Sequence, residues 1–255
     1  MKRLKTRMMD KKSERFKIDQ GRNTLSFLDH LEELRIRLIK CIVAVVIAAC
    51  FFYNFIDSIL AFLIKPVGQL VFTSPGGAFN ARMTLTLLGA IILASPIILY
   101  QVWMFIACGV TEKEKKYIYF YGPSSFLFFL CGGVFAYFVA VPFSIRFLLG
   151  FASPGIVPMI TVDNYISFVG TQMIAFGIVF ELPLILMFLT KIGIATPAFL
   201  IEKRRHAIVA ILIVSAVVTP STDVITLLMM AGPLIVLYEL GVLASRLTHR
   251  ENLKK

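Results

Sequence analysis

The chain has 255 residues, 58% of them apolar, and a mean hydropathy of +0.83. A soluble domain of this length cannot hide that much apolar surface, so the composition excludes a water-soluble globule and makes lipid the solvent. The net charge of +11 invites a nucleic-acid reading, but twelve of the 26 Lys and Arg residues fall before residue 41, outside any long apolar run, and no nucleic-acid partner is expected.

Residues 1–24 are basic and polar and are expected to form a disordered cytoplasmic tail. The first apolar stretch begins near Leu38, too deep for a cleaved leader. A bilayer core takes about 20 helical residues to cross. Leu38 to Ile56 supplies the first span, entered through an amphipathic helix over Phe27 to Leu38 whose apolar stripe is Leu28, Leu31, Leu34 or Arg35, and Leu38. Glu32, Glu33, Arg35 and Arg37 crowd its boundary. An external segment, Asp57 to Arg82, follows; it holds Pro66, and its part Ile59 to Ile64 is expected to lie along the interface.

Met83 to Thr111 and Ile118 to Ile145 carry no charge and form the second and third spans, joined by a connector containing Glu112 and Glu114. Within the third span Gly132, Ala136 and Ala140 recur every four residues, a spacing that lets helices approach closely. After a second external segment, Phe143 to Tyr165, the fourth span runs from Ile166 to Thr190 and is broken only by Glu181. Pro96, Pro123, Pro142 and Pro183 should kink or bound these helices and make the bundle concave. The last two apolar runs are short: Ala207 to Val218 has 12 residues and Val224 to Tyr238 has 15, with the turn Thr219 to Asp223 between them.

Lys and Arg number 23 on one side of these six spans and three on the other, which places both termini in the cytoplasm. The four cysteines form no CxxC pair and read as packing residues; the three histidines are far apart in sequence. There is no GxxxxGK[ST] loop, no GxGxxG and no HExxH. No cofactor, metal or catalytic residue is expected, so the chain reads as no enzyme.

Three acids stand out. Glu33 could belong to a solvated helix start with internal ion pairs, or to a carboxylate site for a cationic partner. Glu114, at the same membrane face, could be part of a charged connector or the second such carboxylate, since two carboxylates could hold two adjacent arginines bidentately. Glu181 lies mid-span, where an acid costs about 2.5–3.5 kcal/mol on insertion scales. It could be a protonated acid bonded to carbonyls freed by Pro183, or a polar contact for a partner helix or hydrated cavity.

Several segments in order resemble the TatC family, the receptor subunit of the twin-arginine protein translocase: HLEELRIRL (30–38), FTSPGGAF (72–79), ASPIILYQVWMFI (94–106), FAYFVAVP (135–142), ISFVGTQMIAFGIVFELP (166–183) and TPSTD (219–223). The resemblance covers about residues 24–245. It implies an all-α membrane fold over residues 25–245, six helices in a kinked, concave bundle with the last two short, and a cytoplasmic tail over 246–255. It also implies a multi-pass protein of the cell inner membrane that binds twin-arginine signal peptides of folded cargo. Single-span subunits of the TatA and TatB type and self-association within the complex come with it, and the proton motive force drives export. By motif position Glu33 and Glu114 would contact the arginine pair with Arg35 and Phe105 beside them. Glu181 would lie on the concave intramembrane face, and Pro66 and Asp223 in external loops. Cys108-Gly109, Gly77 and Leu227 depart from the residues usual there, Pro-Ala, an acid and a glutamine.

Two other classes compete. A proton-coupled small-solute transporter would use Glu181 as its proton site, but the two halves differ in length and charge where transporters often show repeats. An intramembrane hydrolase would need a nucleophile and base, and none can be read.

Overall fold

The structure is a computed structural model that describes residues 30–68, 70–110, 112–150, 159–218 and 224–253. Helix α1 spans His30–Tyr53. It is followed by α2 (Ile56–Ile64), α3 (Gly77–Cys108), α4 (Glu112–Phe135), a π-helical turn over Ala136–Ala140, and α5 (Val141–Leu149). Then come α6 (Val162–Phe180), α7 (Leu182–Lys191), α8 (Pro197–Glu202), α9 (Arg204–Val218) and α10 (Val224–Leu253). The expected 1–24 tail and the 219–223 turn with Asp223 lie outside the described residues, as do residues 151–158.

Five helical stretches are long and apolar enough to cross a membrane: His30–Tyr53, Gly77–Cys108, Ile118–Leu149, Val162–Lys191 and Val224–Thr248. Helix α9, which covers the fifth span expected from the sequence, has 15 residues, a rise of about 22 Å. The expected shortness therefore holds for α9 and not for α10, which runs 30 residues. The uncharged run does end at Tyr238, but Glu239 is paired with Arg204 Nη2 at 2.7 Å, so the helix continues through it and on through Arg246 to Leu253.

In lipid, apolar side chains gain nothing by leaving the surroundings for a neighbouring helix, so polar and small residues mark the contacts. Helix α1 follows this rule. Its inward stripe is His30, Glu33, Arg37, Cys41, Ala44 and Ala48, while Leu31, Leu34 and Leu38 are exposed. The apolar stripe read from the sequence thus faces outward, and the polar one packs. Ala44 and Ala48 meet Ala90 and Ala94 of α3, a contact of four small residues.

The small residues of the third span do the same for α4 and α6. Gly132, Ala136 and Ala140 are all buried, and a Cβ on Gly132 would lie 2.8 Å from the Phe176 carbonyl carbon. The π-helical turn carries the Val141 N–H to Ala136 O, directly before Pro142, whose ring cannot fit a regular helical turn.

At the other end of the bundle, α2 docks rather than lying free at the interface. Ile56 and Leu63 are buried, with Ile59 and Leu60 packed beside them against Leu85 and Val169. Tyr165 Oη donates to Leu63 O at 2.7 Å, and Asp57 pairs with Arg82 Nη2 at 2.7 Å. A parallel bridge joins the two segments expected to be external: Val71 N–H to Ile160 O, 3.1 Å, and Val162 N–H to Val71 O, 3.0 Å.

Candidate functional site

Glu33 and Arg37 sit four residues apart on α1, on the face turned toward α3. The Arg37 guanidinium is ion-paired to Glu33 through Nη2, donates from Nη1 to Gln101 Oε1 at 3.3 Å, and reaches Cys108 Sγ from Nη2 at 3.7 Å. Its side chain is only 12% exposed, and its buried Nε has no acceptor. One turn before Glu33, His30 stacks on Phe105 of α3 with ring centroids 4.5 Å apart. The end of the α1–α3 contact is thus a cradle that holds one guanidinium by a carboxylate, an amide oxygen and a thiol, with an aromatic pair beside it.

Of the residues expected here, Glu33 and Phe105 come together. Arg35 does not: two residues from Glu33 is about 200° around a helix, and Arg35 is exposed on the other side. Glu114 falls in the first turn of α4, which starts four residues after α3 ends at Cys108, so its backbone is at this same end; its side chain lies outside the described residues. Arg37 stood in the sequence only among the charges crowding this boundary, and the internal ion pair offered there for Glu33 is the one it makes; Gln101 was not singled out. The Glu-to-Arg spacing of four residues is the signal that could have named Arg37; nothing local marks Gln101. The departure at Cys108-Gly109 also finds a use, because Gly109 closes α3 with its N–H on Ile106 O and the Cys108 thiol becomes an acceptor for Arg37.

Glu181 occupies the break between α6 and α7, created where Pro183 cannot donate to the helix before it. It is 6% exposed. The Ser125 hydroxyl of α4 donates to its Oε2 at 2.5 Å, while its buried Oε1 has no partner. The partner expected from the protein itself, a carbonyl freed by Pro183, is replaced by that hydroxyl. Between α3 and α4 an apolar groove of about 670 Å³ is lined by Pro96, Ile97, Tyr100, Tyr119, Pro123 and Leu127. Pro66, at the far end, lines a recess of about 180 Å³ with Tyr137, Pro142, Arg146 and Tyr165.

Long apolar helices whose contacts gather small and polar side chains define a multi-pass membrane protein. The sequence matches the family described as Sec-independent protein translocase protein (TatC) over residues 29–233. The TatC of Carboxydothermus hydrogenoformans is 39% identical over 226 residues, covering 87% of this chain and 93% of that protein. The TatC of Aquifex aeolicus is 36% identical over 231 residues, covering 88% and 95%. A crystal structure described as the twin arginine translocase receptor TatC, in DDM, superposes with a TM-score of 0.76 at 36% identity, over 84% of this chain and 98% of that one. The chain belongs to the TatC family. It is a component of a Sec-independent protein translocase, a membrane transport subunit of a multi-subunit complex rather than an enzyme, which sets aside the solute-transporter and hydrolase readings.

Proposed function

We propose that this chain is the receptor and core subunit of the twin-arginine translocase, binding the arginine pair of an exported protein's signal peptide at the α1–α3–α4 end of the bundle. The observation that carries this is the cradle around Arg37: a carboxylate, an amide oxygen and a soft acceptor already arranged around one guanidinium. An incoming arginine takes Glu33 in place of Arg37, and the second arginine of the pair takes Glu114. Phe105 offers a ring face to the guanidinium. Arg35, exposed and without an ion pair among the described residues, stays outside the cradle beside the signal's path.

The apolar part of the signal then runs along the α3–α4 groove, and a partner subunit's single helix supplies the donor that Glu181 Oε1 lacks once the side chains covering that acid move. Pro66 and Asp223 belong to the external end, where partner subunits and further copies of the chain assemble. The 23-to-three distribution of Lys and Arg supports an inner-membrane orientation with both termini cytoplasmic, the side from which folded cargo leaves under the proton motive force.

The test is photocrosslinking from positions 33 and 114 to a signal peptide bearing Arg-Arg or Lys-Lys. Bidentate pairing predicts a strong preference for Arg-Arg. Crosslinking and export that survive Glu33→Ala combined with Glu114→Ala would end the proposal.

A further inference from the structure

A second basic feature lies on the outside of the bundle, away from the cradle. Arg204 opens α9, and its guanidinium is paired with Glu239 of α10; its buried Nε has no acceptor. Two turns further along α10, about 10 Å by helical rise, Arg246 is exposed with no hydrogen bond or ion pair among the described residues. Between the two lies a groove of about 400 Å³ whose remaining lining is apolar, including Val236, Leu240 and Leu243. These side chains are exposed, Val236 to 58%, so the groove faces what surrounds the helices and not the bundle interior.

We propose that this groove is a binding site for one anionic phospholipid of the leaflet on the side of the 191–206 turn. Glu239 cancels one of the two lining arginines, which leaves a single positive charge matched to a single phosphodiester. Arg246 supplies the donors for its oxygens, and the exposed Arg205, next to Arg204 in the chain, adds positive charge nearby. The acyl chain lies in the apolar part of the groove, against Val236, Leu240 and Leu243. An arginine placed at the end of an exposed apolar stripe sits at headgroup depth, and basic recesses between helices there fit phosphate headgroups. The occupied groove would fasten α9, the shortest span, to α10.

The test uses the full chain purified in a neutral detergent, titrated with phosphatidylglycerol or phosphatidylcholine of the same acyl chains, with retained lipid counted by native mass spectrometry. The wild type should retain phosphatidylglycerol in preference. Arg246→Gln should lower that retention about fivefold, and Arg246→Lys much less. Leu240→Trp, which fills the groove and leaves both arginines in place, should also lower it; this variant stands if Arg246→Gln fails to fold. Millimolar inorganic phosphate should not displace the lipid. Equal retention of the two lipids, no effect of either substitution, or displacement by free phosphate would overturn the site.

Discussion

Gly132→Ala adds one methyl group where α4 touches the backbone of α6, and its cost can be worked from that contact. The new Cβ would lie 2.8 Å from the Phe176 carbonyl carbon and 2.9 Å from Gly177 Cα. Carbon atoms rest about 3.5 Å apart, so the two helices must separate by roughly 0.7 Å. Backbone cannot rotate away as a side chain can, so the strain spreads along Ala136 and Phe176, both buried in the same cluster. Overpacking of this kind costs about 1–3 kcal/mol. Gly133→Ala is the control: its nearest neighbour, Met173 O, is 3.9 Å away, and the helix gains about 0.5–1 kcal/mol in propensity. The two variants should therefore differ by about 2 kcal/mol. Thermal unfolding of the purified chain in detergent, followed by circular dichroism, should show Gly132→Ala melting several degrees below Gly133→Ala. Gly89→Ala is a third case, because the atoms nearest its Cβ belong to the tip of the Phe52 side chain rather than to backbone, so a side-chain shift can relieve it. If Gly132→Ala melts with Gly133→Ala, the close approach of α4 and α6 is wrong.

Three further outcomes follow from the polar contacts. Ser125→Ala strips Glu181 of its only hydrogen-bond donor among the described residues and should destabilise by about 1–3 kcal/mol, most of it absent in the Glu181→Leu background; a double-mutant cycle of melting midpoints measures that coupling. Tyr165→Phe leaves the buried Leu63 carbonyl without its hydroxyl, costing about 1 kcal/mol and speeding hydrogen exchange of the α2 amides relative to those of α3. Asp57→Asn breaks an exposed ion pair and should shift the same melt by under about 0.5 kcal/mol, since both partners are well solvated.

The second and third spans were the most legible because each is a long uncharged run, and that property needs no knowledge of neighbours. Their ends were less so. α10 passes its apolar limit at Glu239 because a residue 35 positions away, Arg204, neutralises it, and no local pattern announces that pairing. The stripes of α1 were legible but not which of them packs; with lipid outside, the periodicity turns the Glu33–Arg37 stripe inward. Residue types signalled Glu33 and Glu181, and only the family resemblance pointed to Phe105. Their partners, Gln101, Cys108 and Ser125, are ordinary polar residues on other helices, so only the packing could select them.

The pairing of Glu33 with Arg37 bears directly on how a cationic signal could be chosen. A carboxylate left bare at a half-buried helix contact would be costly, and Arg37 removes that cost before any partner arrives. In the proposed exchange one guanidinium replaces another, so the carboxylate stays paired throughout and its electrostatic energy changes little. The balance is then set by what Arg37 gains by moving to water and by what the second arginine gains at Glu114. A lone arginine in the signal, facing an equal competitor held at high effective concentration on the same helix, would exchange poorly. Two adjacent arginines engage two carboxylates through one chain, and the second contact becomes intramolecular, which multiplies affinity without strengthening either bond. Arg37→Gln should therefore relax the need for a pair: a signal with one arginine would crosslink at position 33 nearly as well as one with two. If the single-arginine signal remains as poor in that variant as in the wild type, Arg37 is not the competitor.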